Sequence, residues 1–203
     1  IYLREGSVKA AIEEMRKELA AVDIKWDCLA YHKSPSAMAT AYDIFAGARF
    51  ILKKLNDEKI DVLHGRVHVA TLMGAIARKI SKSKPKLIFD VRGFFPEEYT
   101  DAGVWPENGW LYRTAKRVES WLMREADGFV VLTKKAKDIL FANETRPVEV
   151  IPCCVDFKKR FSSVHEVLSE DIEKKIGTKS RFVIAHVGAL GGLYLTDEIV
   201  DFL

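Results

Sequence analysis

The sequence is short of several things that would each have pointed to a class. Only three cysteines occur in 203 residues. Cys153 and Cys154 are adjacent and Cys28 lies far away, so neither a disulfide scaffold nor a metal-knuckle or redox spacing is present. No uninterrupted apolar run approaches the roughly 18–20 residues needed to cross a bilayer. Twelve glycines and six prolines are ordinary numbers, which together with 48% hydrophobic residues excludes collagen-like and disordered chains. Charge of one sign is scarce too: 32 Lys and Arg against 29 Asp and Glu leave +3, enough for contact with phosphate or acidic lipid but no nucleic-acid footprint. These features predict a reduced, cytoplasmic setting, in which the sequon Asn143-Glu144-Thr145 is a chance match. The first residues, Ile1-Tyr2-Leu3, read as the tail of a strand, and the chain is expected to be cut at both ends.

What is there is an alternation of short β-branched runs with longer helical patterns. Ile24–Ala30, Ile60–His64, Lys86–Val91, Gly128–Leu132 and Val148–Ile151 predict strands, and their lack of polar alternation suits a parallel sheet buried on both faces. Helices are predicted near Ser7–Ala21, Ser36–Asn56, His68–Ser81, Gly109–Ala126 and Lys134–Phe141. This β-α-β order implies right-handed crossovers and an α/β, doubly wound Rossmann-like domain over residues 1–152. A charge-rich linker is expected over 153–180, with a helix from Ser163. A new strand, Arg181–Val187, then runs into a glycine loop and a helix at Leu195–Leu203, the start of a second α/β domain over 181–203.

In an open parallel sheet, ligands bind outside the carboxyl ends of the strands, which directs attention to a few segments. His64-Gly65-Arg66-Val67-His68 puts two imidazoles beside an arginine. They read as polar groups lining a cleft for an anionic ligand, as strand-end side chains satisfying local backbone, or as a metal pair. The last is disfavoured because the strand ends between them. Asp90 and Arg92 leave the next strand on one face: a carboxylate that can accept from hydroxyls and a guanidinium that can hold phosphate, or a salt bridge pinning the loop. Glu97 and Glu98 after Pro96 read as substrate-facing, as solvated loop charges, or as the first turn of a helix. Thr133 stands at the end of the third such strand. Gly188, Gly191 and Gly192 form a glycine turn whose N–H groups suit a diphosphate. Two basic clusters, Arg78 to Lys86 and Arg113, Lys116, Arg117 and Arg124, read as solvated faces, with peripheral membrane contact behind that reading. A dinucleotide fingerprint, a P-loop and a nucleophile elbow are all missing.

Taken in order, these segments resemble family 4 glycosyltransferases, retaining enzymes of the GT-B fold. DVLHGRVHVATLMGAIARK is similar to a strand-helix unit of the acceptor side, and KLIFDVRGFFPEE to the strand and loop that follow. RVESWLMREADGFVVLTKKAKDIL resembles the stretch carrying ADxxVxLT, and VEVIPCCVDFKKRF the interdomain VIPNGVDxxxF, with Cys153-Cys154 in place of Asn-Gly. FVIAHVGALGGLY is similar to the glycine-loop start of the donor domain. Arg92 falls where many relatives carry a functional His.

The resemblance implies a hexosyltransferase-type enzyme (EC 2.4) that moves a sugar from a UDP- or GDP-sugar to a glycan, lipid-linked or other hydroxyl acceptor, as in polysaccharide biosynthesis. The nucleotide sugar is a co-substrate, and neither a cofactor nor a metal is expected. It makes Asp90 and Arg92 the catalytic candidates. His64, Arg66, His68, Glu97, Glu98 and Thr133 become substrate-binding candidates, and Gly188, Gly191 and Gly192 donor-binding ones. The family's donor-site Arg/Lys pair and Glu-x7-Glu pattern lie further along than Leu203, so this piece alone is expected to be inactive. The alternative is a non-catalytic Rossmann-like binding or scaffolding module. A nucleotide-sugar epimerase is weaker still: it would need an upstream fingerprint and a Tyr-x-x-x-Lys pair in a helix that the resemblance places in another role.

Overall fold

A computed structural model describes residues 5–32, 36–155, 177, 188 and 196–202. The chain divides into two compact units, Ile1–Gly47 and Ala48–Leu203. The first holds helix α1 (Glu5–Ala20) and the beginning of α2 (Ser36–Asp57). Between them, residues 24–32 form no strand, contrary to the expectation for Ile24–Ala30. A strand exists only by pairing, and here Ile24, Leu29 and Tyr31 are exposed with no strand alongside among the described residues. That stretch is tied down instead by Asp43, whose carboxylate accepts from the His32 backbone N–H at 2.9 Å and meets its ring Nδ1 at 2.6 Å. Those bonds, the backbone one first, hold the Asp43 carboxyl below its usual value.

The second unit is built on four parallel strands, β1 (Val62–Arg66), β2 (Lys86–Val91), β3 (Gly128–Val131) and β4 (Val148–Val150), in the order β1-β2-β3-β4. Four of the five expected strands are therefore present, with β1 shifted two residues toward its carboxyl end. The connections are α3 (Val67–Ile80), then α4 (Phe95–Asp101) with α5 (Trp110–Glu125), then α6 (Lys134–Phe141). Because successive strands are neighbours, right-handed crossovers carry all these helices to one face. This is one wing of the Rossmann-like winding that the sequence implies. A last helix, α7 (Thr196–Phe202), falls where a helix was expected. The expected strand Arg181–Val187 and the helix from Ser163 lie outside the described residues.

The register sorts the side chains. Gly65 faces Phe89 and Phe129 across the sheet, and Arg66 faces Asp90 and Val130. Alternation then gives the helix-covered face Leu87, Phe89, Val91, Phe129 and Val131, all nearly or fully buried against Ala75 and Leu122. The other face receives His64, Arg66 and Asp90. No described helix is long and apolar enough to cross a membrane.

Basic residues do much of the fastening at the amino ends of the strands. Lys84 donates to the carbonyls of Arg78 and Lys79, satisfying the open end of α3, so part of the expected solvated cluster is a helix cap. Arg146 donates to the carbonyls of Met123 and Ala126 at 2.9 and 2.6 Å, stacks 4.7 Å over Phe129, and is gripped by Glu144. The Arg146 side chain, followed by the Arg146 backbone N–H, lowers the Glu144 carboxyl to about 2. A carboxyl depressed on folding contributes stability above its unfolded value, near ~4.3, and loses that contribution as pH falls toward its folded value. The melting temperature should therefore drop between about pH 4.5 and 2, and Glu144→Gln should flatten part of that slope. Parallel Tm-against-pH curves for the two proteins would show that the clamp does not act this way.

Candidate functional site

The carboxyl ends of β1 and β2 bring three of the sequence-derived candidates together. Asp90 is the last but one residue of β2 and is 2% exposed. His64 Nε2 lies 3.3 Å from its Oδ2. Arg92 Nε lies 3.2 Å from Oδ2, to which it donates, and 3.1 Å from Oδ1. His64 itself is half exposed, and the Arg92 side chain remains partly open. The Asp90–Arg92 salt bridge considered from sequence is thus real. It leaves the terminal guanidinium nitrogens of Arg92 without a hydrogen-bond partner among the described residues. Asp90 Oδ1 is buried and receives no hydrogen bond. Its contact with Arg92 Nε is an ion pair without hydrogen-bond geometry, and a ligand hydroxyl would supply the missing hydrogen bond. Arg66, exposed and opposite Asp90 in register, completes the cationic surround.

The turn from β1 into α3 is what spreads these residues. Val67 has φ +61°, a left-handed conformation that a β-branched side chain strongly disfavours. The buried Thr71 hydroxyl secures it by donating to the carbonyls of Gly65 and Val67, at 2.9 and 2.7 Å. Gly65 is required here, because a Cβ would run into the side chain and backbone of Thr71. The turn rotates His68 away from the open end. It is 6% exposed, bonds Glu119 Oε2 at 3.0 Å through Nε2, and packs among Phe89 and Phe95. His68 therefore sits behind the site and does not line its mouth.

Glu97 and Glu98 also part company. Glu98 Oε1 accepts from the Phe94 N–H at 3.1 Å, closing the first turn of α4, and the same carboxylate sits where Gly93 leaves space. Glu97 meets Lys116 Nζ at 2.9 Å, and its Oε2 is buried with no partner. Lys116 is turned inward, contrary to its expected place on a solvated face. It bridges Glu97 and Glu119, and Tyr112 donates to Glu97 at 3.4 Å. Burial works to raise the Glu119 carboxyl, but its bonds to His68 and Lys116 prevail and hold it low. Burial likewise opposes the charge on Lys116, and its two carboxylates outweigh it and raise its pKa. Tyr112, Lys116 and Glu119 went unrecognised as a set. Their spacing of four and three places them on one face of α5, a signal that the basic composition of that helix obscured.

The remaining candidates are simply placed. Thr133 Oγ1 accepts from the Ala136 N–H at 3.0 Å and caps α6. Gly188 is exposed, and Gly191 and Gly192 lie outside the described residues. Among the described residues, no three His, Cys, Asp or Glu side chains are grouped to hold a metal. An open groove of about 810 Å³ lies at the opposite, amino end of the strands, lined by Arg78, Lys86, Asp127 and Arg146 among others. Arg78 and Lys86 already pair with Asp127 there.

The family model for Glycosyltransferase Family 4 matches residues 13–159. The chain belongs to Glycosyltransferase Family 4. Comparison with curated proteins and with solved structures returned no match. Membership makes glycosyl transfer the general activity and a sugar donor and an acceptor the general partners. The matched span contains the whole His64–Asp90–Arg92 cluster and the Glu97–Lys116–Glu119 chain behind it.

Two substitutions test this architecture. Gly65→Ala should cost about 3 kcal/mol, the upper end for overpacking, because backbone as well as side chain must yield. Glu119→Ala should cost a similar ~3 kcal/mol by stripping the shared partner from His68 and Lys116, with Glu119→Gln milder. Urea denaturation midpoints read both; a wild-type midpoint in Gly65→Ala would contradict the close approach.

Proposed function

We propose that this chain forms the acceptor side of a glycosyltransferase cleft, with the sugar delivered from a UDP- or GDP-sugar to a glycan, lipid-linked or other hydroxyl acceptor. The observation that carries the reading is Asp90 Oδ1, buried at the carboxyl edge of the sheet, in an ion pair with Arg92 but without a hydrogen bond, beside a guanidinium with open donors. Asp90 accepts a hydrogen bond from the acceptor hydroxyl and orients its oxygen. Arg92 directs its terminal N–H groups at the donor diphosphate, where negative charge grows as the bond to the sugar breaks; donors fixed in advance are effective there. Arg66 adds to the positive surround, His64 offers a ring nitrogen beside Asp90, and Glu97, whose Oε2 has no hydrogen-bond partner, offers a second acceptor for a sugar hydroxyl.

In the retaining course that we assign, the acceptor oxygen attacks the anomeric carbon on the face from which the diphosphate departs. One carbon–oxygen bond forms as the other breaks, and the hydroxyl proton passes to the leaving phosphate. No metal is needed for that balance. Residues 153–180 serve as the linker and 181–203 open the donor-binding domain, with Gly188, Gly191 and Gly192 near the diphosphate. The setting is the cytoplasm.

Nucleotide release from a panel of UDP- and GDP-sugars, measured on the natural full-length protein, tests the reading. Asp90→Asn and Arg92→Gln should each lower kcat/KM at least about a hundredfold, the scale of removing one preorganised donor or acceptor. Their melting temperatures should stay close to wild type, and His64→Gln should have a smaller effect. Full activity in both Asp90→Asn and Arg92→Gln would refute the assignment. An absence of release with every donor would favour a binding module instead.

A further inference from the structure

The polar series behind the site takes no part in the bond-making assigned above, yet it ends on Glu97, five residues past Arg92. Arg92 leaves β2 on a short loop whose next residue, Gly93, has no side chain to pack. The loop is therefore placed by its anchors. One is the ion pair with Asp90 on the strand. The other is α4, whose first turn closes onto the loop. There the Phe94 N–H donates to Glu98 Oε1 at 3.1 Å, and the Phe94 carbonyl accepts from the Glu98 N–H at 2.8 Å. The seat of α4 thus decides where the Arg92 guanidinium points. A helix of seven residues has little stability of its own, so neighbours set that seat. Phe95 packs on the His68 ring, with centroids 5.2 Å apart, and Tyr112 donates to Glu97 at 3.4 Å. Lys116 Nζ meets Glu97 Oε1 at 2.9 Å, and of these three contacts it alone joins full charges.

We infer that Lys116 is a positioning residue for glycosyl transfer: through Glu97 it holds α4 against α5 and keeps the Arg92 guanidinium aimed at the departing diphosphate. The inference rests on the role proposed above for Arg92. Lys116 is the cation shared by Glu97 and Glu119. Without it the two carboxylates face each other with like charge. Glu119 is buried and held by His68, so Glu97, already partly exposed, is the one that swings toward water. The start of α4 and the loop follow it. A guanidinium displaced by about an ångström loses much of its hold on charge that develops only in the transition state, while binding of the ground state changes less.

A double-mutant cycle between Lys116 and Arg92 decides it, read by nucleotide release from UDP- and GDP-sugars with the natural full-length protein. Lys116→Met should lower kcat and kcat/KM together, by roughly tenfold to a hundredfold, with KM near wild type. Lys116→Arg should keep most of the rate, and the exposed neighbour Arg117→Gln should leave it unchanged. In an Arg92→Gln background, Lys116→Met should cost little more, because its effect runs through Arg92. Hydrogen exchange supplies a readout that needs no substrate. Amides of residues 93–98 should exchange faster in Lys116→Met, while those of β2 keep their protection. If the Met variant does not fold, Lys116→Gln, which retains an N–H donor, carries the same comparisons with smaller losses. Wild-type kcat in Lys116→Met, losses that multiply with those of Arg92→Gln, or unchanged exchange across 93–98 would overturn the positioning role alone. Full activity in Arg92→Gln, or no release from any donor, would instead remove the reading beneath it, and this inference with it.

Discussion

Everything at the carboxyl edge of the sheet depends on how closely α3 approaches β1. Gly65 lets the helix backbone come down onto the strand, and Thr71 bonds back to Gly65 and Val67 across the gap. The chain then has to reverse within one residue, and Val67 absorbs that reversal in a left-handed conformation. Strain of this kind persists only where surrounding contacts over-determine it. The result separates two histidines four residues apart. His64 stays on the open face beside Asp90, and His68 is sent into the interior.

The interior histidine begins a chain of polar contacts that reaches back to the site from behind. His68 holds Glu119, Glu119 holds Lys116, and Lys116 holds Glu97 at the start of α4. Glu97 lies a few residues past Arg92, so the loop that carries the guanidinium is fixed at both ends: by Asp90 on the strand and by α5 through Lys116. A partly buried set of ions is stable only when each has its counterpart. The Glu97 oxygen left over at the end of this polar series has no hydrogen-bond donor among the described residues.

The basic residues divide by what they face. Lys84, Arg78 and Arg146 direct their donors at carbonyls at helix and strand ends, and Lys116 at one buried and one partly exposed carboxylate. Arg117, the residue after Lys116, is exposed. The helical repeat makes the difference, since a step of one residue turns about a quarter of the way around the axis.

The sequence by itself determined the succession of elements in the second unit, because strand and helix periodicities are local properties. Lys86–Val91 and Lys134–Phe141 fall where their apolar patterns put them, and the carboxyl-edge rule located Asp90, Arg92 and His64. The ordered motifs likewise carried the family. Only the tertiary structure decided the rest. Ile24–Ala30 has the composition of a strand but no strand beside it, and composition cannot supply hydrogen-bond partners. His68 is buried because Glu119 reaches it from α5, and Lys116 turns inward because Glu97 of α4 meets it there. A contact between residues fifty positions apart leaves no trace in the pattern around either one, so which charges turn inward is settled by packing.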